Sequence, residues 1–411
     1  MMDNKAVQVR QWGHKAQNNV HGTKDNNKVI IPYVYQDFDD VGYYIGNTGK
    51  LLISPTAKIR NVYPLLYSTE NLILSQYTAQ KGKKDRTEID EFNENINENL
   101  QILYEILSEK TYVPGEYKVK EIHDPKDRII MIAPFFPDRI IHHCVINVLS
   151  PFWTHIFIAN TYACIKGRGI QKCADDVGKA LMLDFAGTQF CLKTDITKYY
   201  DHIDHAVLKA ILRYTIDDED LLELLFKIID SNGKNVGLPI GNFTSQYLAN
   251  IYLAYFDHWV KEELARMVKQ KFGCKIYYFR YMDDMVFLAE TKEALQFVLD
   301  IAGLYLGAEL HVEFKHTWQI FPVDDRSIDF VGFKQNHYNI LLRKTILLKF
   351  YKKLEETQKH YLIKNEEDIK HLFPSEYGWI IKCSEQHKNF IFNKCINYGN
   401  IKTENRADLC R

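Results

Sequence analysis

In the stretch Tyr277-Tyr-Phe-Arg-Tyr-Met-Asp-Asp-Met-Val-Phe-Leu-Ala289, two adjacent carboxylates sit between flanks rich in aromatic and β-branched residues. Such flanks suit a half-buried pleated surface, whereas Asp is depleted from strands and lacks partners in a strand interior. Residues 275–289 therefore read as two strands, interrupted only by Arg280 and by Asp283-Asp284, with the acidic pair in the tight turn between them. Taken alone, the segment also fits a plain Asp-Asp turn, so other parts of the chain have to decide.

Three segments do. Phe190-Cys-Leu-Lys-Thr-Asp195 is a short apolar run that delivers a carboxylate at its C-terminal end, the usual place for chemistry in an open sheet. Adjacent strands would bring Asp195 beside Asp283. Crowded like charges repel and take up protons unless a cation compensates, so a triad of Asp195, Asp283 and Asp284 implies bound metal. Carboxylate oxygens with water and phosphate suit Mg²⁺, and two such ions ~4 Å apart stabilise the attacking and leaving oxygens of an in-line phosphoryl transfer. The second segment, Gly237-Leu-Pro-Ile-Gly-Asn-Phe-Thr-Ser-Gln246, is a Gly/Pro turn into a long amphipathic helix with Asn242 or Thr244 near its N-cap. Glycine lets backbone approach a base pair, and the helix start suits phosphate or ribose. The third is a hairpin over 117–132 with the charged tip Asp124-Pro-Lys-Asp127. Its basic residues and their continuation, Lys126, Arg128 and Arg139, would close over a triphosphate.

The chain has 411 residues, 46% apolar and 13% aromatic, enough for a large core in two or three subdomains. Lys plus Arg number 52 against 53 Asp plus Glu, so net charge neither argues for nor excludes a nucleic-acid partner. Distribution is more telling: residues 341–411 hold 14 basic against 9 acidic side chains, which makes this end the backbone-binding surface. Eight scattered cysteines lack zinc or dithiol spacing, the N-terminus lacks the apolar core of a signal peptide, and no stretch reaches the length of a membrane span. A soluble cytoplasmic protein is expected. Short strands are expected in Val29-Ile-Ile-Pro-Tyr-Val-Tyr and Gly49-Lys-Leu-Leu-Ile-Ser. Helices are expected over 91–110, stopped by Pro114-Gly115, over 140–149, ending at Pro151, through Val207, Ile211 and Leu212, and from 345 onward.

In this order, the segments resemble the palm and fingers of reverse transcriptases. Tyr281-Met-Asp-Asp284 matches the signature turn, Asp195 the first metal ligand, and Gly237 to Gln246 the segment between them. The resemblance covers 62–343 and implies an α+β right-hand polymerase fold with fingers, a palm built on an antiparallel sheet, and a helical thumb. Its divisions fall at 1–60 (an N-terminal extension), 61–185 (fingers with the start of the palm), 186–335 (catalytic palm) and 336–411 (thumb). It further implies an RNA-directed DNA polymerase with two Mg²⁺ ions, for which Mn²⁺ substitutes, held by Asp195, Ile196, Asp283 and Asp284. Lys315, in Glu-Leu-His-Val-Glu-Phe-Lys, falls where the family keeps a lysine near the leaving pyrophosphate, as a general acid. Arg128 matches the residue that grips the triphosphate, joined by Lys126, Arg139, Ile196, Gly241 and Gln246 at the nucleotide. Tyr200, five residues after Asp195, matches the aromatic gate that rejects a ribose 2′-OH, although Tyr199 next door is open to the same part. Phe330-Val-Gly-Phe333 resembles the primer grip.

Departures narrow the branch. Many reverse transcriptases carry Gln-Gly and end the middle segment in Ser-Pro, whereas this chain has Ile240-Gly241 and Ser245-Gln246. That form, with Val62-Tyr-Pro-Leu-Leu-Tyr, His142-His143 and Thr161-Tyr-Ala-Cys-Ile-Lys-Gly, looks like the diversity-generating-retroelement branch, including its antiphage members. The long N-terminal extension tilts the reading toward defence; mutagenic cDNA synthesis and template-independent or protein-primed synthesis are the alternatives. The implied partners are dNTPs, a DNA product and an RNA template or dedicated structured non-coding RNA, with no membrane. A homo-oligomer or partner protein stays open. Lys81, Lys83, Lys84, Arg86, Lys349, Lys352 and Lys353 are the basic residues placed to meet phosphates.

Overall fold

The structure is a computed structural model. It describes residues 58–83, 87–123, 128–361 and 363–397, and the backbone of two paired strands, Tyr43–Ile45 and Leu51–Ile53. The second of these falls in the expected Gly49 segment; the strand expected from Val29 lies outside the described residues. The chain divides into two compact units, each discontinuous in sequence: Met1–Phe157, Lys198–Tyr255 and Glu309–His311 form the first, and Ile158–Thr197, Phe256–Ala308 and Val312–Arg411 the second.

The first unit is built around the helix Ile140–Ile156, against which Thr69–Gln80 and Phe243–Tyr252 pack. Ile140, Ile141, Cys144, Val145, Val148 and Leu149 recur on its buried side. The sequence suggests an end at Pro151, yet the helix continues to Ile156. Proline inside a helix costs about 3 kcal/mol. Burying Phe152 and Trp153 in the continuing turn returns about 1.5–3 kcal/mol each, so packing wins. The single helix expected over 91–110 is instead two, Thr87–Glu94 and Ile96–Ser108, broken where Asn95 leaves the helical region at φ −124°, ψ 43°. The expected hairpin forms from Lys118–Ile122 and Arg128–Ile132.

The second unit carries a four-stranded antiparallel sheet in the order Ile276–Tyr281, Asp284–Ala289, Phe190–Thr194, Gln319–Pro322. Cys191, Leu192 and every residue of 285–289 are buried, so its two central strands are its core. A three-stranded sheet follows, Ile328–Phe330, Phe333–Gln335 and Ile340–Leu342. Its hairpin turns at Val331 and Gly332, both at positive φ. The helices Lys344–Thr357, Glu366–Leu372, Pro374–Ile380 and Glu385–Asn397 enclose Leu347, Phe350, Leu354, Ile369, Ile380 and Ile391. The α+β class expected from the sequence is the one observed.

Candidate active site

Two strands of the second unit, Ile276–Tyr281 and Asp284–Ala289, meet through a turn of only two residues, Met282 and Asp283, with Tyr281 paired to Asp284. Met282 sits at φ +59°, in the left-handed region that a two-residue hairpin turn requires. The sequence places both carboxylates in the turn. In the structure only Asp283 occupies it, while Asp284 opens the next strand.

The neighbouring strand Phe190–Thr194 ends at the same edge, since Thr194 pairs with Met285, and Asp195 follows it directly. Asp195 lies within hydrogen-bonding reach of the Asp283 carboxyl. Burial, then the facing charge of Asp195, and to a lesser degree Asp284, push the Asp283 carboxyl up to about 7. Beyond Asp195 the backbone pairs with a distant stretch. Lys315 N–H donates to the Asp195 carbonyl at 2.7 Å, Ile196 bridges Phe314, and Thr197 N–H donates to Glu313 O at 3.0 Å. Lys315 is thereby fixed beside Asp195, and Ile196 is buried beneath.

Whether these residues suit a divalent cation can be judged from their chemistry. Two carboxylates that force one of them toward the protonated form need positive charge between them, and hard oxygen donors suit Mg²⁺ or Mn²⁺. Among the described residues no three His, Cys, Asp or Glu side chains already form a cage. The fit therefore rests on Asp195 and Asp283, with Asp284 adjoining.

The other sequence-derived residues gather in the first unit. Arg128 opens the hairpin strand Arg128–Ile132 and is exposed, while Lys126 lies outside the described residues. Met131 N–H donates to Ile240 O at 2.8 Å, and a Cβ on Gly241, at φ +127°, would lie 2.5 Å from Met131 O. Only glycine fits this contact. Leu238 N–H donates to Tyr200 O at 2.8 Å, so the 237–241 turn joins the hairpin on one side to Tyr200 on the other. Tyr199 is buried with its hydroxyl bound to Ala249 O, whereas Tyr200 is half-exposed. Asn242 is the N-cap of Phe243–Tyr252 without capping it through its side chain, which donates to the Tyr117 hydroxyl instead. Thr244 is buried inside this helix and Gln246 is exposed on it. Arg139 is half-buried at the N-cap of Ile140–Ile156.

Of the basic surface residues, Lys353 pairs with Glu376 at 2.9 Å, Lys349 and Lys352 are exposed, and Lys83 Nζ donates to Ala79 O. Lys84 and Arg86 lie outside the described residues. Among the described residues no helix is long and apolar enough to cross a membrane.

Residues 123–333, more than half of the chain, match the family model of reverse transcriptase (RNA-dependent DNA polymerase). The chain belongs to this family. Membership brings the right-hand polymerase fold, in which the four-stranded sheet of this reverse transcriptase is the palm sheet, and the nucleotidyltransferase class. Over 211 residues it is 26% identical to the Group II intron-encoded protein LtrA of Lactococcus lactis subsp. cremoris, a match covering 49% of this chain and 33% of that protein. It is also 28% identical over 177 residues to Protein YkfC of Escherichia coli (strain K12), covering 40% of this chain and 45% of YkfC. The match therefore spans less than half the length of either relative. Among solved structures, telomerase from Candida albicans aligns with a TM-score of 0.44 at 13% identity, over 71% of this chain and 61% of that one.

Asp257, which forms a fully buried ion pair with Arg280 in the strand before the turn, is a residue that sequence reasoning passed over. The sequence marks its partner, Arg280, only as an interruption of an apolar strand. A lone Arg among aromatic strand residues is itself a signal, because such a charge needs a buried counter-charge.

Proposed function

We propose that this chain is an RNA-directed DNA polymerase that adds dNTPs to a DNA strand, with Asp195, Asp283 and Asp284 holding two Mg²⁺ ions and Ile196 completing the site. The carrying observation is the Asp195–Asp283 pair at the edge of the two central palm strands, where burial, then the charge of Asp195, raises the Asp283 carboxyl. When bound, the ions would stabilise the attacking and leaving oxygens of phosphoryl transfer. Lys315, held next to Asp195 through its backbone, gives a proton to the leaving pyrophosphate. Arg128, Lys126 and Arg139 bind the triphosphate, Gly241 and Gln246 border the base pair, and the Tyr200 ring excludes a 2′-OH. In this reading the domains run as extension 1–60, fingers 61–185, palm 186–335 and thumb 336–411.

The template is read as a dedicated structured RNA and the role as antiphage defence. Ile240-Gly241 and Ser245-Gln246 in the middle segment, and the residues before 61, support that branch. A variable-protein gene with a repeat beside this one would move the role to diversification. Sequencing DNA made with and without copurifying RNA separates templated from untemplated or protein-primed synthesis.

Purified protein given an RNA template, DNA primer, Mg²⁺ and dNTPs should extend the primer, and Asp283→Ala should abolish extension. Full synthesis by that variant overturns the metal assignment. Tyr200→Ala should admit ribonucleotides, and unchanged sugar selection removes Tyr200 from the gate.

A further inference from the structure

Beneath the catalytic turn lies a charged pair that the reaction itself does not use. Arg280 and Asp257 each have 0% side-chain exposure and pair in a fork, Arg280 Nε to Asp257 Oδ1 at 2.7 Å and Nη2 to Oδ2. The Tyr278 hydroxyl donates to the same Oδ1 at 2.7 Å, and the Thr161 hydroxyl to Oδ2 at 2.8 Å. Asp257 thus accepts four hydrogen bonds. The Arg280 backbone is gripped as well: its N–H donates to Asn160 O at 3.0 Å, and its carbonyl accepts from Tyr162 N–H at 3.1 Å. The remaining arm of the guanidinium leaves this network. Arg280 Nη1 donates at 2.9 Å to the carbonyl of Met282, the left-handed residue immediately before Asp283.

Stability does not require this arrangement. A buried ion pair recovers little beyond its own desolvation cost, and well-packed apolar residues commonly serve as well. What apolar residues cannot do is hold a carbonyl. A non-glycine residue in the left-handed region persists when its surroundings over-determine it, and here one planar fork, fixed along its Nε–Nη2 edge by Asp257, reaches with Nη1 the peptide that sets the direction of Asp283. Lysine has no such fork, being a single point charge on a flexible stem.

We infer that Asp257 and Arg280 are positioning residues of the catalytic turn: Asp257 fixes the guanidinium, and the guanidinium fixes the Met282 carbonyl, so that Asp283 meets Asp195 in the orientation that shares a divalent cation. The inference rests on the polymerase reading of this site. Positioning of this kind acts on turnover and on metal affinity, and leaves nucleotide and primer binding to other residues.

Two variants test it, Arg280→Lys and the double Asp257→Leu with Arg280→Met, which removes the charges together. Thermal melting, the Kd for an RNA–DNA primer-template, the kcat and KM for dNTP incorporation, and calorimetric titration of Mn²⁺ into the protein are compared with wild type. In any variant melting within about 5 °C of wild type, kcat should fall on the order of tenfold to a hundredfold and Mn²⁺ affinity should weaken by a similar factor. KM and primer-template Kd should stay within about twofold of wild type if only the turn is misaligned. Unchanged kcat and Mn²⁺ affinity in a folded variant overturns the inference, as does loss of folding in both variants, which would make the pair a structural strut. Wild-type protein that fails to incorporate any nucleotide defeats the polymerase reading instead. A wild type that polymerises beside an equally active Arg280→Lys defeats only the positioning role.

Discussion

The two units hold their functional segments by different means. In the second, charge supports charge: Asp257 is satisfied by four donors, while a few residues from its Arg280 partner Asp283 faces another carboxylate and is driven toward its neutral form. In the first, the turn at 237–241 is held by backbone against backbone, Gly241 on Met131 and Leu238 on Tyr200. The helix behind it buries His142 and half-buries His143, both kept neutral. Repulsion survives only where a scaffold that is itself fully paired holds it in place; shape needs only close contact.

The contrast is tested most severely within the second unit. Asp257→Asn leaves a buried guanidinium without its counter-charge and should cost about 3–5 kcal/mol in urea unfolding. Asp283→Asn relieves a repulsion, so in EDTA it should melt at or above wild type, while primer extension falls on the order of a thousandfold. Equal destabilisation by the two would erase the distinction between satisfied and repelling carboxylates. In the first unit, Gly241→Ala puts a Cβ 2.5 Å from a carbonyl at a φ that L-residues avoid and should cost roughly 2 kcal/mol. A neutral outcome would mean that close backbone contact does not hold the turn.

The smallest effect concerns pH. Burial, then the charges of His143 and Arg139, lower His142 from 6.5 to about 3. With the folded value below the unfolded one, the unfolded chain takes up a proton that the folded chain refuses. Stability is therefore complete above pH 6.5 and lost as pH falls toward 3, at up to about 1.4 kcal/mol per pH unit. His142→Leu should flatten the slope at little cost in folding, because His142 Nδ1 has no hydrogen-bond partner among the described residues. An unchanged slope between pH 6.5 and 4 would assign acid sensitivity elsewhere.

Local pattern carried much of this into the sequence. Aromatic and β-branched flanks marked the strands at 276–289, and an apolar run ending on Asp195 marked its neighbour, because such side chains suit a buried pleated surface. Glycine at 237 and 241 marked a close approach, expected from the sequence to be toward a base pair, whereas the neighbours in the structure are the chain's own carbonyls of Asp201 and Met131. The helix through Pro151 was not legible, since burial of Phe152 and Trp153 depends on distant residues. Nor was the separation of Asp283 from Asp284 between turn and strand, which a register of one residue decides. Asp257 was hidden for the same reason: a single acidic residue in the helix Ala254–Trp259 acquires meaning only from Arg280, which another element brings to it.

Asp284 opens the second strand of four, with Asp283 just before it, and Asp195 directly follows the third; both strands are hydrogen-bonded on both flanks. The gap between their main chains is thus borrowed from the repeat of a β-ladder, about 4.8 Å in any protein. Drift of side chains elsewhere in the molecule leaves that ruler unaltered, so loops and appended segments can diverge freely around a yardstick that belongs to the peptide bond itself.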